Sequence, residues 1–373
     1  GLHTLYISPL KALAVDIKRN LETPITEMGL DISVETRTGD TPQNRRLRQR
    51  HTPPDILMTT PEQLALLLSY PDTDKFFGSL SCVVLDELHA LANSKRGDLL
   101  ALGLARLSTL APSLRRVGLS ATVAEPDELR RYLMPQPEMG EAMAEIVTAP
   151  AGAMPELGIL TPKGPEPDSA AKLPVPAEAR IPPARIPWSG HSARHALPAV
   201  YEEIKRNRMV LVFVNTRSQA EFVFQSLWHL NEDTLPIALH HGSLAPEARR
   251  KVEAAMAAGS LRAVVCTSTL DLGIDWGDVD LVVNMPSRAL LVPANRFEVL
   301  ECEAARAAAL EGAQDGLVAR KGAFDVLSQH VLGMACSEPF DPDELYAEVR
   351  SASPYRELTR DEFDRVVDFV ATG

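Results

Sequence analysis

Val83-Val84-Leu85-Asp86-Glu87-Leu88-His89 sets two carboxylates directly behind a run of aliphatic residues. A short apolar run of this kind reads as a buried strand, and the end of such a strand is where open α/β sheets carry their ligands. Asp86 at that point can hold Mg²⁺ through its water shell, and Glu87 can polarise a water that attacks a terminal phosphate. His89 lies close enough to relay the state of that site to a neighbouring segment. The same residues also suit the first turn of a helix, whose dipole favours carboxylates.

Working outward, short apolar or β-branched runs alternate with amphipathic stretches. Strands are predicted at Leu5–Ile7, Ile32–Glu35, Ile56–Met58, Cys82–Leu85 and Val117–Leu119, with helical segments at Leu10–Leu21, Glu62–Ser69 and Asp98–Leu110. This alternation indicates an α/β domain built on a parallel sheet. From about Ala149 to Pro187 the texture changes. Ten of the 29 prolines fall there among few large apolar residues, which reads as a linker or loose excursion. The α/β pattern then restarts, with strands at Met209–Val214, Pro236–His240, Ala263–Cys266, Leu281–Asn284 and Ala289–Val292. Helices Ser218–Leu230 and Pro246–Ala258 separate the first three. Beyond Arg296 the pattern is helical, and Thr359-Arg360-Asp361-Glu362 forms a capping box for a last helix.

Composition narrows the function classes. A net charge of −12 argues against coating nucleic acid by bulk electrostatics, though not against a local groove of amides and hydroxyls. The densest basic cluster, Arg45, Arg46, Arg48 and Arg50, reads as a solvated helix face. No apolar run is long enough to span a membrane. Cys82, Cys266, Cys302 and Cys336 form no C-x-x-C pair and read as reduced residues of a cytoplasmic protein, with no zinc expected. His191 and His195 have metal-compatible spacing but no accompanying carboxylate pattern.

The chemistry lies in the order of the motifs. Gly118-Leu119-Ser120-Ala121-Thr122 closes another apolar strand, and Ser120 and Thr122 offer hydroxyls toward His89 or Asp86. Each could also cap the helix that follows. D-E-x-H followed by S-A-T resembles motifs II and III of superfamily 2 helicases. Tyr6–Leu13 resembles motif Ia, Thr38-Gly39-Asp40 the glycine motif after it, and Thr59–Leu64 motif Ib. Val212–Arg217 resembles motif IV, His241–Leu244 the motif after it, and Cys266–Asp275 motif V. Ser8, Thr59, Thr60, Thr216, Ser243 and Thr267 are hydroxyls at strand-to-helix turns, where N–H groups and hydroxyls grip phosphates without reading sequence. Any one of them alone could equally be a helix cap.

Within the superfamily the chain is similar to the large helicase-related (Lhr) family, and more narrowly to the bacterial ligase-associated DExH helicases. The segments carrying this are Ile186–Ser192, Gly273–Gly277, Val292–Glu298 and the tail from His330. The resemblance implies two RecA-like domains at 1–148 and 188–296, joined through 149–187, then the start of a helical winged-helix domain at 297–373. It implies an ATP- and Mg²⁺-dependent 3′-to-5′ translocase on single-stranded DNA (a 3′-tailed duplex) acting in repair, with a ligase and an exonuclease as partners. Asp86, Glu87, Gly273 and Asp275 would face nucleotide. Ser8, Lys11, Thr59, Thr60, Asn215, Thr216, Ser243, Thr267 and Ser268 would face nucleic acid. Trp276 can stack on a base or sit in the core. Oligomeric state has no signature in the sequence. Two alternatives stand: a helicase for RNA or an RNA–DNA hybrid, and a non-hydrolytic nucleic-acid-binding scaffold.

Two parts of such a motor have no counterpart in the sequence. No G-x-x-x-x-G-K-[ST] occurs, so the P-loop strand, loop and helix are expected before Gly1. The family places motif VI, with its arginine finger, between the two strands on either side of Met285-Pro286-Ser287-Arg288. Parallel neighbours need about a dozen connecting residues, and the alternative, a tight hairpin, is disfavoured by Pro286 and the lack of Gly or Asn, so a segment is expected to be missing between Met285 and Pro286. Arg288 is not the finger.

Overall fold

The structure is a computed structural model that describes residues 1–9, 20–121, 123, 125–148, 156–161, 186–188, 193–267, 270, 281–283, 288–311 and 320–373. The chain forms two compact units, Gly1–Thr148 with Gln314–Gly373, and Ala149–Ala313.

In the first unit β1 (Thr4–Ile7), β2 (Val34–Arg37), β3 (Ile56–Thr59), β4 (Cys82–Leu85) and β5 (Arg115–Gly118) make one parallel sheet of order β2-β3-β1-β4-β5. The register sets Arg37, Thr59, Ile7, Leu85 and Gly118 in a single row at the carboxyl ends of the strands. Helices α1 (Gln43–His51), α2 (Pro61–Leu68), α3 (Leu88–Ala92), α4 (Lys95–Leu110) and α5 (Pro126–Leu133) connect and cover it. The central one is α4. Ser94 caps it by accepting the Gly97 N–H at 3.2 Å, and it stops at Ala111 because Pro112 disfavours helical backbone before it. Leu100, Leu102 and Leu107 on α4 are fully buried, each contributing about 1.5–3 kcal/mol of apolar burial.

The second unit carries a six-stranded parallel sheet of order β6-β11-β10-β7-β9-β8. Its strands are β6 (Glu156–Ile159), β7 (Val210–Phe213), β8 (Ile237–His240), β9 (Ala263–Cys266), β10 (Leu281–Val283) and β11 (Arg288–Leu291). Helices α6 (Leu197–Arg206) and α7 (Arg217–Leu230) build the core on one face, and α8 (Pro246–Ala257) contributes Met256 to the core on the other. The strand β6 falls inside the stretch that sequence assigns to a linker. Four residues pair with β11, and Gly158 lets Leu290 approach closely: a Cβ there would meet Leu290 Cδ2 at 2.8 Å. Strands β10 and β11 pair in parallel, Val282 opposite Ala289, although only 284–287 lie between them.

Helix α9 (Arg296–Glu311), which sequence places with the winged-helix segment, groups instead with the second unit. Its start is fixed there by the Asn295 side chain, which accepts the N–H groups of Phe297 and Glu298, and by the Arg296 N–H on the Pro187 carbonyl.

The last helices, α10 (Phe324–Ser337), α11 (Pro342–Arg350) and α12 (Arg360–Thr372), pack onto the first unit and share its core through Leu327, Val331, Val349 and Phe363. Thr359 and Glu362 make the expected capping box. His330 is buried in this packing, and burial, then Arg106, pushes its pKa down to about 4. A histidine held neutral gives stability that is complete above its unfolded pKa and is lost as pH falls through the window down to its folded pKa. From about 6.5 and about 4, the expected loss between pH 7 and pH 5 is about 2 kcal/mol. The neighbouring Glu348, raised by burial, titrates in the opposite sense. Comparing unfolding of His330→Met with wild type isolates the histidine. Wild type should lose that amount of stability relative to His330→Met from pH 7 to pH 5, and an unchanged difference would refute it.

Candidate functional site

The residues just past the strand row of the first unit form the site. Backbone bonds set their spacing: Asp86 N–H donates to Ile7 O at 2.9 Å, Ser8 N–H to Thr59 O at 3.0 Å, and Leu119 N–H to Leu85 O at 2.8 Å. Motif residues 34 to 79 positions apart are thus brought side by side. Gly118 permits this closeness, since a Cβ there would meet Leu88 Cδ2 at 2.8 Å.

Glu87 lies in the left-handed region, φ 48° and ψ 45°, where a non-glycine residue stores about 1–3 kcal/mol of strain. Its N–H donates to Asp86 Oδ1 at 3.0 Å. The turn presents both carboxylates at the sheet edge and starts α3, which carries His89. The Nδ1 atom of His89 accepts from Ala121 N–H at 3.4 Å and lies 3.2 Å from Ser120 Oγ. Neutral His89 therefore carries its proton on Nε2, which faces Glu87 Oε2 at 3.3 Å. One imidazole bridges the carboxylate to the Ser120-Ala121 segment.

Sequence reasoning missed Tyr6. Its hydroxyl hydrogen-bonds Asp86, and its pKa is pushed far up by burial, then by Asp86 and Glu87. Only its place on β1 beside β4 could have signalled this. Burial is the larger cause and the two carboxylates add to it; Asp86 has no ion pair among the described residues. Two carboxylates with a hydroxyl at a sheet edge are a donor set that suits a hydrated divalent cation.

The other residues named from sequence divide by accessibility. Ser8, Thr59 and Thr60 are buried, and Thr59 Oγ1 donates to Arg37 O at 2.9 Å, tying β3 to β2. In the second unit, Asn215, Thr216 and Ser243 are exposed and Thr267 is buried. Thr216 and Gln219 form a capping box on α7. His241 Nδ1 accepts Ser243 N–H at 3.2 Å, so its Nε2–H donates to Glu221 on α7 at 2.9 Å, fixing the turn that holds Ser243. Sequence quoted His241 without giving it that part. Lys11, Thr122, Ser268, Gly273, Asp275, Trp276 and His191 lie outside the described residues.

Residues 1–129 match the DEAD/DEAH box helicase family, residues 193–293 the helicase conserved C-terminal domain, and residues 308–373 the winged helix domain of large helicase-related protein. The chain is 34% identical over its whole length to the ATP-dependent helicase Lhr-Core of Methanothermobacter thermautotrophicus, covering 45% of that protein. The chain belongs to the Lhr family. It is also 32% identical over its whole length to the Lhr helicase/probable uracil glycosylase of Mycolicibacterium smegmatis, covering 27% of it. Among solved structures, the Mycobacterium smegmatis helicase Lhr bound to ssDNA and AMP-PNP superposes with TM-score 0.81 at 34% identity, over 99% of this chain and 50% of that one. The DNA-bound DUF1998 helicase MrfA shares the fold, TM-score 0.72 at 22% identity, over 99% of this chain and 49% of that one. This Lhr-family chain thus spans half or less of the length of these relatives. Its parallel sheets are those of two RecA-like domains, and the helices packed on the first belong to a winged-helix domain. Among the described residues no helix is long and apolar enough to cross a membrane.

Proposed function

We propose that this chain is motor core of an ATP-dependent 3′-to-5′ single-stranded DNA translocase and helicase, cytoplasmic and acting in DNA repair. The observation carrying the reading is the His89 bridge from Glu87 to Ser120 and Ala121, set on a sheet edge that also presents Asp86 and the Ser8 and Thr60 turns.

Asp86 would hold Mg²⁺ through water, with Tyr6 steadying its carboxylate. The ion, when bound, supplies charge neutralisation on phosphate oxygens. Glu87 orients the attacking water and takes its proton. As the carboxylate changes charge, its bond to His89 Nε2–H changes with it, and the imidazole passes that change to Ser120 and the Ala121 amide. Backbone N–H groups at the turns after Ile7 and Thr59 in the first unit, and the Asn215, Thr216, Ser243 and Thr267 turns in the second, offer phosphodiester contacts blind to sequence. Lys11, Ser268 and Trp276 extend that set. Thr122 joins the motif III hydroxyls, and Gly273 with Asp275 faces nucleotide.

The ssDNA and AMP-PNP bound to the mycobacterial Lhr support substrate and nucleotide alike. Polarity, repair, and ligase and exonuclease partners rest on the resemblance to ligase-associated helicases. The parallel pairing of β10 and β11 supports placing a crossover segment, with motif VI, between Met285 and Pro286. Arg288 is already engaged with Glu203 on α6 at 3.2 Å, which supports leaving it out of the finger's role.

The test is ATP hydrolysis by the intact protein without nucleic acid, with single-stranded DNA, and with RNA of matched sequence. DNA is expected to stimulate turnover at least about tenfold more than RNA, a difference of about 1.4 kcal/mol in barrier. Greater stimulation by RNA would make the chain an RNA helicase, and no stimulation by either would overturn the motor reading.

A further inference from the structure

The arginine cluster on α1 is not the uniform solvated face that its sequence suggests. Arg45 and Arg48 turn toward Glu35, at 3.2 and 2.6 Å. Arg46 and Arg50, one turn apart, face the other way. They line a cavity of about 420 Å³ together with Arg37, from the end of β2, and Tyr70.

Arg37 is 1% exposed. Its Nη1 donates to the Arg46 carbonyl at 2.9 Å, and its guanidinium hydrogen-bonds Tyr70. Arg46 Nη2 donates to the Thr38 carbonyl at 3.1 Å. Arg50 pairs with Asp72 at 2.7 Å and lies 3.9 Å from the Tyr70 ring centre. The charges do not balance. Among the described residues, Asp72 is the single carboxylate paired with any of the three guanidinium groups. The Nε–H groups of Arg37, Arg46 and Arg50 are all buried without an acceptor. One orphaned donor costs about 1–3 kcal/mol, and a buried charge lacking a counter-charge costs more. Burial, and after it Arg46 and Arg50, push the Arg37 pKa below the ordinary arginine range despite Tyr70.

We propose that this cavity is a binding site for an oxyanion of the phosphate class, held by Arg37, Arg46 and Arg50. Guanidinium groups present forked N–H donors that match phosphate oxygens, and the occupant would supply the missing counter-charge. The anion can come from a nucleic-acid phosphodiester or from free phosphate. Its occupation would stiffen the edge used by motif Ib, because the Arg37 carbonyl accepts the Thr59 hydroxyl and Arg46 holds the Thr38 turn. The site stands on these contacts and does not depend on the helicase reading.

The test is thermal unfolding of the intact protein in rising inorganic phosphate, with ionic strength held constant by chloride. Phosphate should raise the Tm beyond chloride, and Arg50→Gln and Arg37→Met should each abolish that increment. Arg45→Gln, on the opposite face of α1, should keep it. Arg50 is partly exposed, so Arg50→Gln carries the test if Arg37→Met does not fold. A second arm measures binding of oligo(dT) in phosphate-free buffer. If the strand supplies the anion, phosphate competes with it and Arg50→Gln lowers the salt slope of DNA binding by about one. If the anion is free phosphate, DNA binding is indifferent to both while the Tm increment persists. Wild-type protein no more stabilised by phosphate than by chloride, or an increment that survives Arg50→Gln, would overturn the site.

Discussion

Replacing Glu87 with Gln should lower DNA-stimulated ATP turnover by about a hundredfold or more while leaving nucleotide and DNA binding nearly unchanged. The substitution keeps size and hydrogen-bond reach. The Gln carbonyl can still accept the His89 Nε2–H, now 3.3 Å from Glu87 Oε2, so the bridge to Ser120 and Ala121 has no reason to collapse. Only the ability to take a proton from water is lost, and a positioned general base contributes about 10²–10⁴ in rate. The backbone supplies a second readout. Glu87 has φ 48°, a conformation that suits glycine, so Glu87→Gly should be equally inactive yet lose the strain of about 1–3 kcal/mol. Steady-state turnover, nucleotide affinity and thermal unfolding of the three proteins decide the matter. Turnover by Glu87→Gln within about threefold of wild type would remove Glu87 from the chemistry.

The carboxyl ends of the strands were legible in the sequence because each is announced twice, by an apolar run and by the polar turn that stops it. Cys82–Leu85 and Ala263–Cys266 form as expected, and the Thr359-to-Glu362 box caps its helix because both partners lie within one turn. The remainder depended on contacts between distant segments. Tyr6 meets Asp86 only because β1 and β4 pair in register. Glu221 meets His241 only because α7 lies back across the sheet from β7 toward β8. The strand β6 is short, contains a glycine and sits among prolines, so nothing local marks it. It forms because β11 offers an unpaired edge. The arginines of α1 misled for the opposite reason. Composition describes a cluster, whereas helical periodicity divides it, sending Arg45 and Arg48 to Glu35 and Arg46 and Arg50 to the cavity that Arg37 also lines.

The join between the winged-helix segment and the first RecA-like domain turns on one buried carboxylate, and Asp98→Ala should cost about 2–3 kcal/mol. Asp98 lies in the first turn of α4 and is fully buried. Its Oδ2 accepts Ala323 N–H at 3.1 Å and Arg320 Nη2 at 3.1 Å, while Arg320 Nη1 donates to the Asn93 carbonyl at 3.2 Å. Asn93 ends the short helix that carries His89, so the clamp grips the elements directly behind the carboxylate motif. Arg320 remains partly in water, which keeps the expected cost at the lower end for a broken buried pair. Burial raises the Asp98 pKa more than Ala323 and Arg320 lower it. Ionised Asp98 is therefore a net liability: its contribution improves as pH falls through the raised pKa toward the unfolded value. Asp98→Asn retains an acceptor for both partners and removes that liability, so it should stay within about 1 kcal/mol of wild type at neutral pH. Wild type should gain on it as the solution is acidified. Denaturant unfolding of the three proteins separates the cases, and hydrogen exchange should show α4 and α10 losing protection together in Asp98→Ala. If Asn and Ala cost the same, the charge itself, rather than the acceptor, holds the two elements together.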